Sequence, residues 1–162
     1  MLILLCRHAH AADRDPALFP DDSLRPLIPK GRRVAERVGR RLARRGYVPT
    51  VVLSSPWKRA WQTAAILARE TGAGKKRRVE APGLAGEPNV AHLAEAVGAR
   101  QPDEVVALVG HEPWLGELAS LLLTGSPTRL TIDFPKGGVV AIETGVFGLA
   151  SGKLVFMDPA EG

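Results

Sequence analysis

Arginine and histidine side chains directly follow two apolar runs of this 162-residue chain. Arg7 and His8 come after the apolar residues 2–6, and His111 comes after residues 105–110. Short apolar runs bounded by charge predict strands buried on both faces, which are typical of a parallel sheet. Ligands bind at the carboxyl ends of such strands, because loops and helix N-termini meet there. We therefore expect Arg7, His8 and His111 to lie at a ligand-binding edge.

A further short strand, predicted for residues 50–54, leads to a second arginine. Ser55 and Pro56 follow this strand and have the composition of a helix start, with a capping hydroxyl and then proline at the first helical position. Arg59 would then lie in the first turn of that helix. Its guanidinium group is thereby predicted to face the same sheet edge.

The chemistry of these four side chains together favours a tetrahedral anion. If crossover helices make the three strands parallel neighbours, Arg7, His8, Arg59 and His111 converge at one edge. Guanidinium groups bind phosphate oxygens in pairs and stay charged at any working pH. Positive neighbours also disfavour protonation of a histidine, which keeps an imidazole neutral and nucleophilic. The set therefore predicts a site for a tetrahedral anion such as phosphate.

The elements that must position these residues follow from apolar spacing and from glycines and prolines. Residues 11–29 are predicted to form a long loop, and such a loop is more often functional than idle. Residues 71–76 end the second helix and lack both the spacing and the Ser or Thr of a phosphate loop. Helices are predicted over residues 30–45, 56–70, 90–100 and 113–124. Additional strands are predicted over residues 78–81, 130–134, 139–143 and 154–157.

Length and composition bound the class of protein. The chain, residues 1–162, is interpreted as a single α/β domain. Cys6 is its one cysteine, and the apolar run at residues 2–6 is too short for a signal peptide or a membrane span, so we expect a cytoplasmic location and no membrane partner. A formal charge of +5 and a pI of about 9.9 favour anionic partners. The aromatic content of 5% and the absence of a nucleic-acid-binding motif disfavour nucleic acid.

Four motifs in order carry a resemblance to the histidine phosphatase superfamily, also called phosphoglycerate-mutase-like. The motifs are Arg7-His8-Ala9, Arg25-Pro26-Leu27, Ser54-Ser55-Pro56 with Arg59, and Gly110-His111-Glu112-Pro113. The short chain is most similar to the SixA-type branch of phosphohistidine phosphatases. This resemblance implies a three-layer α/β/α fold with a mostly parallel central sheet and antiparallel edge strands. Ala9 departs from the pattern, since the family usually has glycine there.

The resemblance also implies roles for the site residues. His8 would be the nucleophile and become transiently phosphorylated, while Arg7, Arg59 and His111 would hold the phosphoryl oxygens, with no metal and no cofactor required. We assign Arg25 and Ser55 to substrate binding. Glu87 is the nearest candidate for a general acid.

The general acid and the substrate have alternatives. Asp13 or Asp22 in the first loop would serve in place of Glu87, and His10 is interpreted as a rim residue. The favoured substrate is a phosphohistidine on a protein, and the alternative is a small phosphorylated metabolite. A phosphohistidine needs an acid less, because its P–N bond is labile. The sequence leaves the oligomeric state open.

The sequence also permits two functions from other classes of protein. One is a metal hydrolase that uses His8 and His10, with Asp13 and His111 as further ligands. The other is a basic domain that binds nucleic acid through the arginine-rich helix over residues 30–45. Activity that survives exhaustive chelation would eliminate the first, and the absence of duplex retardation at low salt would eliminate the second.

Overall fold

The structure, a computed structural model, describes residues 1–74 and 77–161. Lys75 and Lys76, the last two residues of the segment 71–76 considered as a phosphate loop, lie outside the described residues. The helices are α1 (Pro29–Arg44), α2 (Lys58–Glu70), α3 (Val90–Val97) and α4 (Trp114–Thr124). The strands are β1 (Leu2–Arg7), β2 (Val51–Ser54), β3 (Arg78–Glu80), β4 (Val105–Gly110), β5 (Val139–Thr144) and β6 (Gly152–Asp158).

The strands form one six-stranded sheet in the order β3-β2-β4-β1-β5-β6. The first four strands of the chain run parallel, and β5 and β6 pair antiparallel at one side. This arrangement confirms the predicted mostly parallel sheet with antiparallel edge strands. Because β4 lies between β1 and β2, the carboxyl ends of these three strands are adjacent.

Helices cover both faces of the sheet. Val34, Val38 and Leu42 of α1, spaced four residues apart, are buried with Leu4 and the apolar side of α2 on one face. Leu93 of α3 and the apolar residues of α4 are buried with Ile3 and Leu5 on the other face. Alternate residues of β1 therefore pack into two separate hydrophobic cores, as expected for a central strand that is buried on both faces. The result is the expected three-layer α/β/α architecture.

The predicted strand over residues 130–134 is wrong. The segment is irregular and pairs with no strand among the described residues, and side chains satisfy the polar groups of its last residue. The Phe134 N–H donates to Oε1 of Glu112 at 2.8 Å, and Nη1 of Arg7 donates to the Phe134 carbonyl at 2.6 Å. With both backbone groups paired to side chains, this residue has no need of a neighbouring strand.

Helix boundaries also differ from the predictions. The second helix begins at Lys58, so Ser55 and Pro56 precede it and do not form its cap and first residue. Helix α3 ends at Val97 and not at residue 100, because Gly98 takes a positive φ of 67° and stops it.

None of the helices within the described residues is long and apolar enough to cross a membrane.

Candidate active site

The ends of β1, β2 and β4 hold the first residues of the site rigidly. Arg7 is in register with Gly110, and Ser54 is in register with Val109. The backbone pairing continues one residue beyond each strand: the His8 N–H donates to the Gly110 carbonyl at 3.0 Å, and the Ser55 N–H donates to the Val109 carbonyl at 2.9 Å. The predicted convergence of the strand ends is therefore observed.

The hydrogen bonds of His8 select one tautomer of its imidazole. Nδ1 lies 2.8 Å from the Ala9 carbonyl oxygen, and because a carbonyl only accepts, Nδ1 carries the proton. Nε2 is then an acceptor, and it receives the Nε–H of Arg59 at 3.2 Å. The Nε2 lone pair of His8 consequently points toward the guanidinium group of Arg59.

His8 is neutral over the ordinary pH range. Its side chain is buried, and burial is the main cause that lowers the pKa of His8 to about 3. The Ala9 hydrogen bond opposes this shift, whereas the charges of Arg59, Arg7 and Lys136 reinforce it. A neutral imidazole with an unprotonated Nε2 is the form required for nucleophilic attack, and the Arg59 hydrogen bond must leave this nitrogen when substrate binds.

His111 lies beside His8, with ring centroids 5.1 Å apart. Its Nε2 is 2.8 Å from Oγ of Ser55, and that oxygen also accepts the backbone N–H of Trp57. Burial, followed by the proximity of His8 and Arg59, lowers the pKa of His111 to about 3. Among the described residues, Nδ1 of His111 finds no hydrogen-bond partner although it is buried. Ser55 is thus engaged with His111, which makes it a residue that orients this imidazole.

Arg59 extends from the first turn of α2 into the same cluster and is 4% exposed. Besides His8, it donates to both the carbonyl oxygen and the carboxylate of Asp22, at 2.8 and 3.0 Å. Asp22 also accepts Nε of Arg25 at 2.7 Å. The hydrogen bond from Arg25 and the charge of Arg59 outweigh partial burial and lower the pKa of Asp22, so this carboxylate is ionised. The loop arginine Arg25 therefore joins the cluster as predicted.

Arg7 lies at the end of β1 and is anchored by its bond to the Phe134 carbonyl. Its charge contributes to the lowered pKa of both histidines. Behind this segment, Gly137 donates its N–H to the His8 carbonyl. Gly137 has a φ of +84°, and a Cβ there would meet Cγ1 of Val34 at 2.7 Å, so glycine is required.

Side chains that the sequence analysis did not single out complete the rim. The Trp57 ring lies 4.6 Å from the His111 ring, and the Trp114 ring lies 6.3 Å from it. The guanidinium group of Arg59 lies over the Trp57 ring at 4.6 Å. Lys136 is exposed in the turn before β5 and lies near enough to His8 to affect its pKa. Trp57 and Lys136 carried no signal in the sequence, because ordinary surface or core roles account for either residue alone.

Three other candidates lie apart from the cluster. Glu87 and Asp13 are exposed, and within the described residues neither side chain forms a hydrogen bond or an ion pair with His8, Arg59 or His111. His10 is half-buried, and its Nε2 lies 3.9 Å from the Glu161 carboxylate. Across residues 1–74 and 77–161, no group of three or more His, Cys, Asp or Glu side chains has the geometry to hold a metal ion. The ligand set of the metal-hydrolase hypothesis is therefore not assembled there.

The buried histidines predict a loss of stability in acid. An unfolded histidine takes up a proton near pH 6.5, whereas folded His8 and His111 resist protonation down to about pH 3, so stability falls as pH drops through this interval. Below about pH 6.5, the free energy of unfolding decreases by up to about 1.4 kcal/mol per pH unit for each histidine. From about pH 7 to about pH 5.5, we expect the free energy of unfolding to fall by about 2.5 kcal/mol, measured by urea denaturation.

Two variants test the assignment of this loss. His8→Asn removes one of the two groups, so its acid loss should be about half that of the wild type. His92→Asn, at an exposed position of α3, should leave the loss unchanged. An undiminished loss in His8→Asn would contradict the assignment.

The N-terminal half of the chain matches a known family. The sequence profile of the histidine phosphatase superfamily (branch 1) matches residues 3–84, which include His8, Arg25 and Arg59. An uncharacterized protein of Picosynechococcus sp. is 36% identical over 151 residues, which cover 90% of this chain and 86% of that protein. His111 lies outside the profile match, which ends at residue 84. The alignment with this relative, by contrast, covers 90% of the chain.

Solved structures share the whole fold. The protein histidine phosphatase SixA, determined as a complex with tungstate, is similar with a TM-score of 0.79 at 21% identity, over 99% of this chain and 97% of that chain. A protein of Nakamurella multipartitia assigned as a phosphohistidine phosphatase SixA has a TM-score of 0.68 at 28% identity, over 97% and 94% of the two chains. These likenesses agree with the layer order and sheet topology described above.

Proposed function

Because the chain belongs to branch 1 of the histidine phosphatase superfamily and is a metal-independent phosphatase, we propose that it dephosphorylates phosphohistidine on a protein, through a phosphoryl intermediate on His8. The observation that carries the proposal is the neutral His8, whose Nε2 lone pair faces a cluster of fixed cations. The SixA-type relatives support the choice of substrate, since phosphohistidine is the substrate class in their names.

The first step is in-line attack by Nε2 of His8 on the phosphorus atom. A new P–N bond forms to His8 while the bond from phosphorus to the substrate nitrogen breaks. Arg59, Arg7 and Arg25 supply fixed positive charge for the phosphoryl oxygens, and His111 supplies a further donor through Nδ1 when Ser55 donates to its Nε2. Charge stabilisation of this kind by preorganised donors accounts for most of the catalysis in phosphoryl transfer.

The second step is hydrolysis of the phosphorylated His8. Water attacks phosphorus, the bond to Nε2 breaks, and inorganic phosphate leaves with the imidazole restored to its neutral form. The Ala9 carbonyl supports both steps, because its hydrogen bond keeps the proton on Nδ1 and stabilises positive charge that develops on the ring.

The state of the acidic side chains favours phosphohistidine over an alcohol ester. An ester leaves as an alkoxide and needs a proton from a neutral acid. Within the described residues, Asp22 is the carboxylate in contact with the cluster, and its two arginine partners keep it ionised. The second ring nitrogen of a phosphohistidine takes up a proton from water near neutral pH, and in that protonated form the imidazole leaves as a neutral molecule. It therefore demands no proton from the enzyme.

A comparison of substrates tests the proposal. We expect the protein to dephosphorylate a phosphohistidine-bearing phosphotransfer domain with a kcat/KM at least about a hundredfold above that for sugar phosphates or a phosphoserine peptide, because the lack of a general acid typically costs an ester substrate about this factor. Release of inorganic phosphate is the measurement, and His8→Ala is the control for contaminating activity. Faster turnover of the small esters would overturn the protein substrate and favour a small phosphorylated metabolite.

A further inference from the structure

One carboxylate occupies the hydrogen-bond donors of two arginines in the site. Both oxygens of Asp22 are engaged: Oδ1 accepts Nε of Arg25 at 2.7 Å, and Oδ2 accepts Nη2 of Arg59 at 3.0 Å. The Asp22 carbonyl accepts Nη1 of Arg59 at 2.8 Å, and Arg14 lies 3.6 Å from Oδ1. Asp22 therefore binds these arginines as a planar anion would, beside the nucleophilic nitrogen of His8.

The same donors are the ones that a phosphoryl group requires. A guanidinium group offers its N–H groups in a fixed fork, and a fork that holds a carboxylate has fewer donors left for a second anion. Two anions side by side on one pair of arginines also repel each other. A phosphoryl group and the Asp22 carboxylate thus compete for Arg59 and Arg25.

The segment that carries Asp22 has a fixed base and no buried side chains. Across residues 12–26, all of which the structure describes, no side chain is buried. Asp22 begins a single 3-10 turn, and the base of the loop is fixed by the bridge between Ala11 and Leu27 and by Gln62, which accepts the Leu27 N–H at 2.8 Å. A loop with a fixed base and few buried contacts opens at low free-energy cost.

We propose that Asp22 is an internal competitor of the phosphoryl group: its carboxylate must leave Arg59 and Arg25 for substrate to bind, and its return to them promotes the release of inorganic phosphate. This inference rests on the phosphoryl site proposed above and assigns Asp22 a role other than proton donation. It predicts that Asp22 weakens the binding of phosphate to the wild-type protein and raises the rate of phosphate release. Asp22 acts here through the arginines and does not touch the reacting atoms.

Binding of inorganic phosphate, measured by isothermal titration calorimetry at constant ionic strength, tests this competition. Asp22→Asn keeps the shape of the side chain and removes its charge, so we expect it to bind phosphate at least about tenfold more tightly than the wild type. Its phosphatase activity should be inhibited by correspondingly lower phosphate concentrations. Asp22→Ala should tighten binding in the same direction, which separates loss of charge from any new contact made by asparagine.

The neighbouring residue provides a matched control. The exposed Asp21 accepts the N–H of Ser23 and, within the described chain, contacts no arginine. Asp21→Asn keeps that cap and removes the same charge one residue away, so its phosphate affinity should stay within about twofold of the wild type. A similar gain in Asp21→Asn and Asp22→Asn would overturn the competition, because the effect would then be one of net charge.

The remaining outcomes separate this inference from the proposed function. Unchanged or weaker phosphate binding by Asp22→Asn, with wild-type binding that Arg59→Ala abolishes, would overturn the competition and leave the phosphoryl site standing. Weaker binding would instead make Asp22 a residue that orients the arginines. Failure of every variant and of the wild type to bind phosphate would overturn both. Because phosphate is the probe, failure to act on phosphohistidine does not affect the result.

Discussion

The variant His8→Ala is expected to lower kcat by at least about a thousandfold, since it removes the atom that we propose accepts the phosphoryl group. The remaining cations would still bind substrate, so KM should change far less than kcat. With wild-type protein, mixing with substrate followed by a rapid alkaline quench should leave an acid-labile phosphate on the peptide that contains His8. Peptide mass spectrometry measures this intermediate, which should be absent from the variant.

His92→Ala is the matched control for this substitution. His92 is an exposed histidine of α3, so its loss should leave both turnover and the intermediate unchanged. Urea denaturation of both variants shows that they are folded. Full activity in His8→Ala, or a phosphate trapped on a different peptide, would refute the mechanism.

Removal of either Arg59 or His111 is expected to reduce kcat by about a hundredfold, which is the usual effect of deleting one preorganised donor from a site that stabilises developing negative charge. The two side chains reach the cluster from different elements, α2 and the end of β4, and both are nearly fully buried. Steady-state kinetics of Arg59→Ala and His111→Ala measure the loss. Arg59→Lys should recover only part of it, because an ammonium keeps the charge and lacks the planar fork.

Arg69→Ala provides the control for charge. Arg69 lies on the same helix as Arg59 but is exposed, and it pairs with Glu36 and Glu70. Its removal lowers the net charge of the protein by the same amount and should leave kcat near the wild-type value. Near-normal rates in both Arg59→Ala and His111→Ala would show that the chemistry takes place elsewhere.

The loop residues show why parts of the site escaped prediction. Arg25 was assigned to the site from its motif, and the structure places it there through Asp22. Glu87 was the nearest acidic residue after the third strand, yet it is exposed and apart from the cluster. The position of an acidic side chain in an irregular segment depends on how the segment folds over the sheet, and neither periodicity nor spacing reports that.

Ser55 and Phe134 illustrate a second reason. Ser55 is a residue type that commonly caps a helix. In the structure, however, its hydroxyl forms hydrogen bonds with His111 and with the backbone N–H of Trp57. Phe134 lies in a stretch with strand-like composition, but Glu112 and Arg7 satisfy its backbone. In both cases a long-range partner outweighs the local preference, and the sequence near the residue does not identify that partner.

By itself, the sequence determined the parallel strands, the helices that cover them and the edge at which Arg7, His8 and His111 meet. The physical reason is that apolar runs buried on both faces and crossover helices bring the carboxyl ends of the strands to one side. Only the tertiary structure decided the tautomer of His8 and the engagement of Arg59 by Asp22. These features depend on individual hydrogen bonds between segments far apart in the chain, and such bonds form only after the sheet and its loops have been packed together.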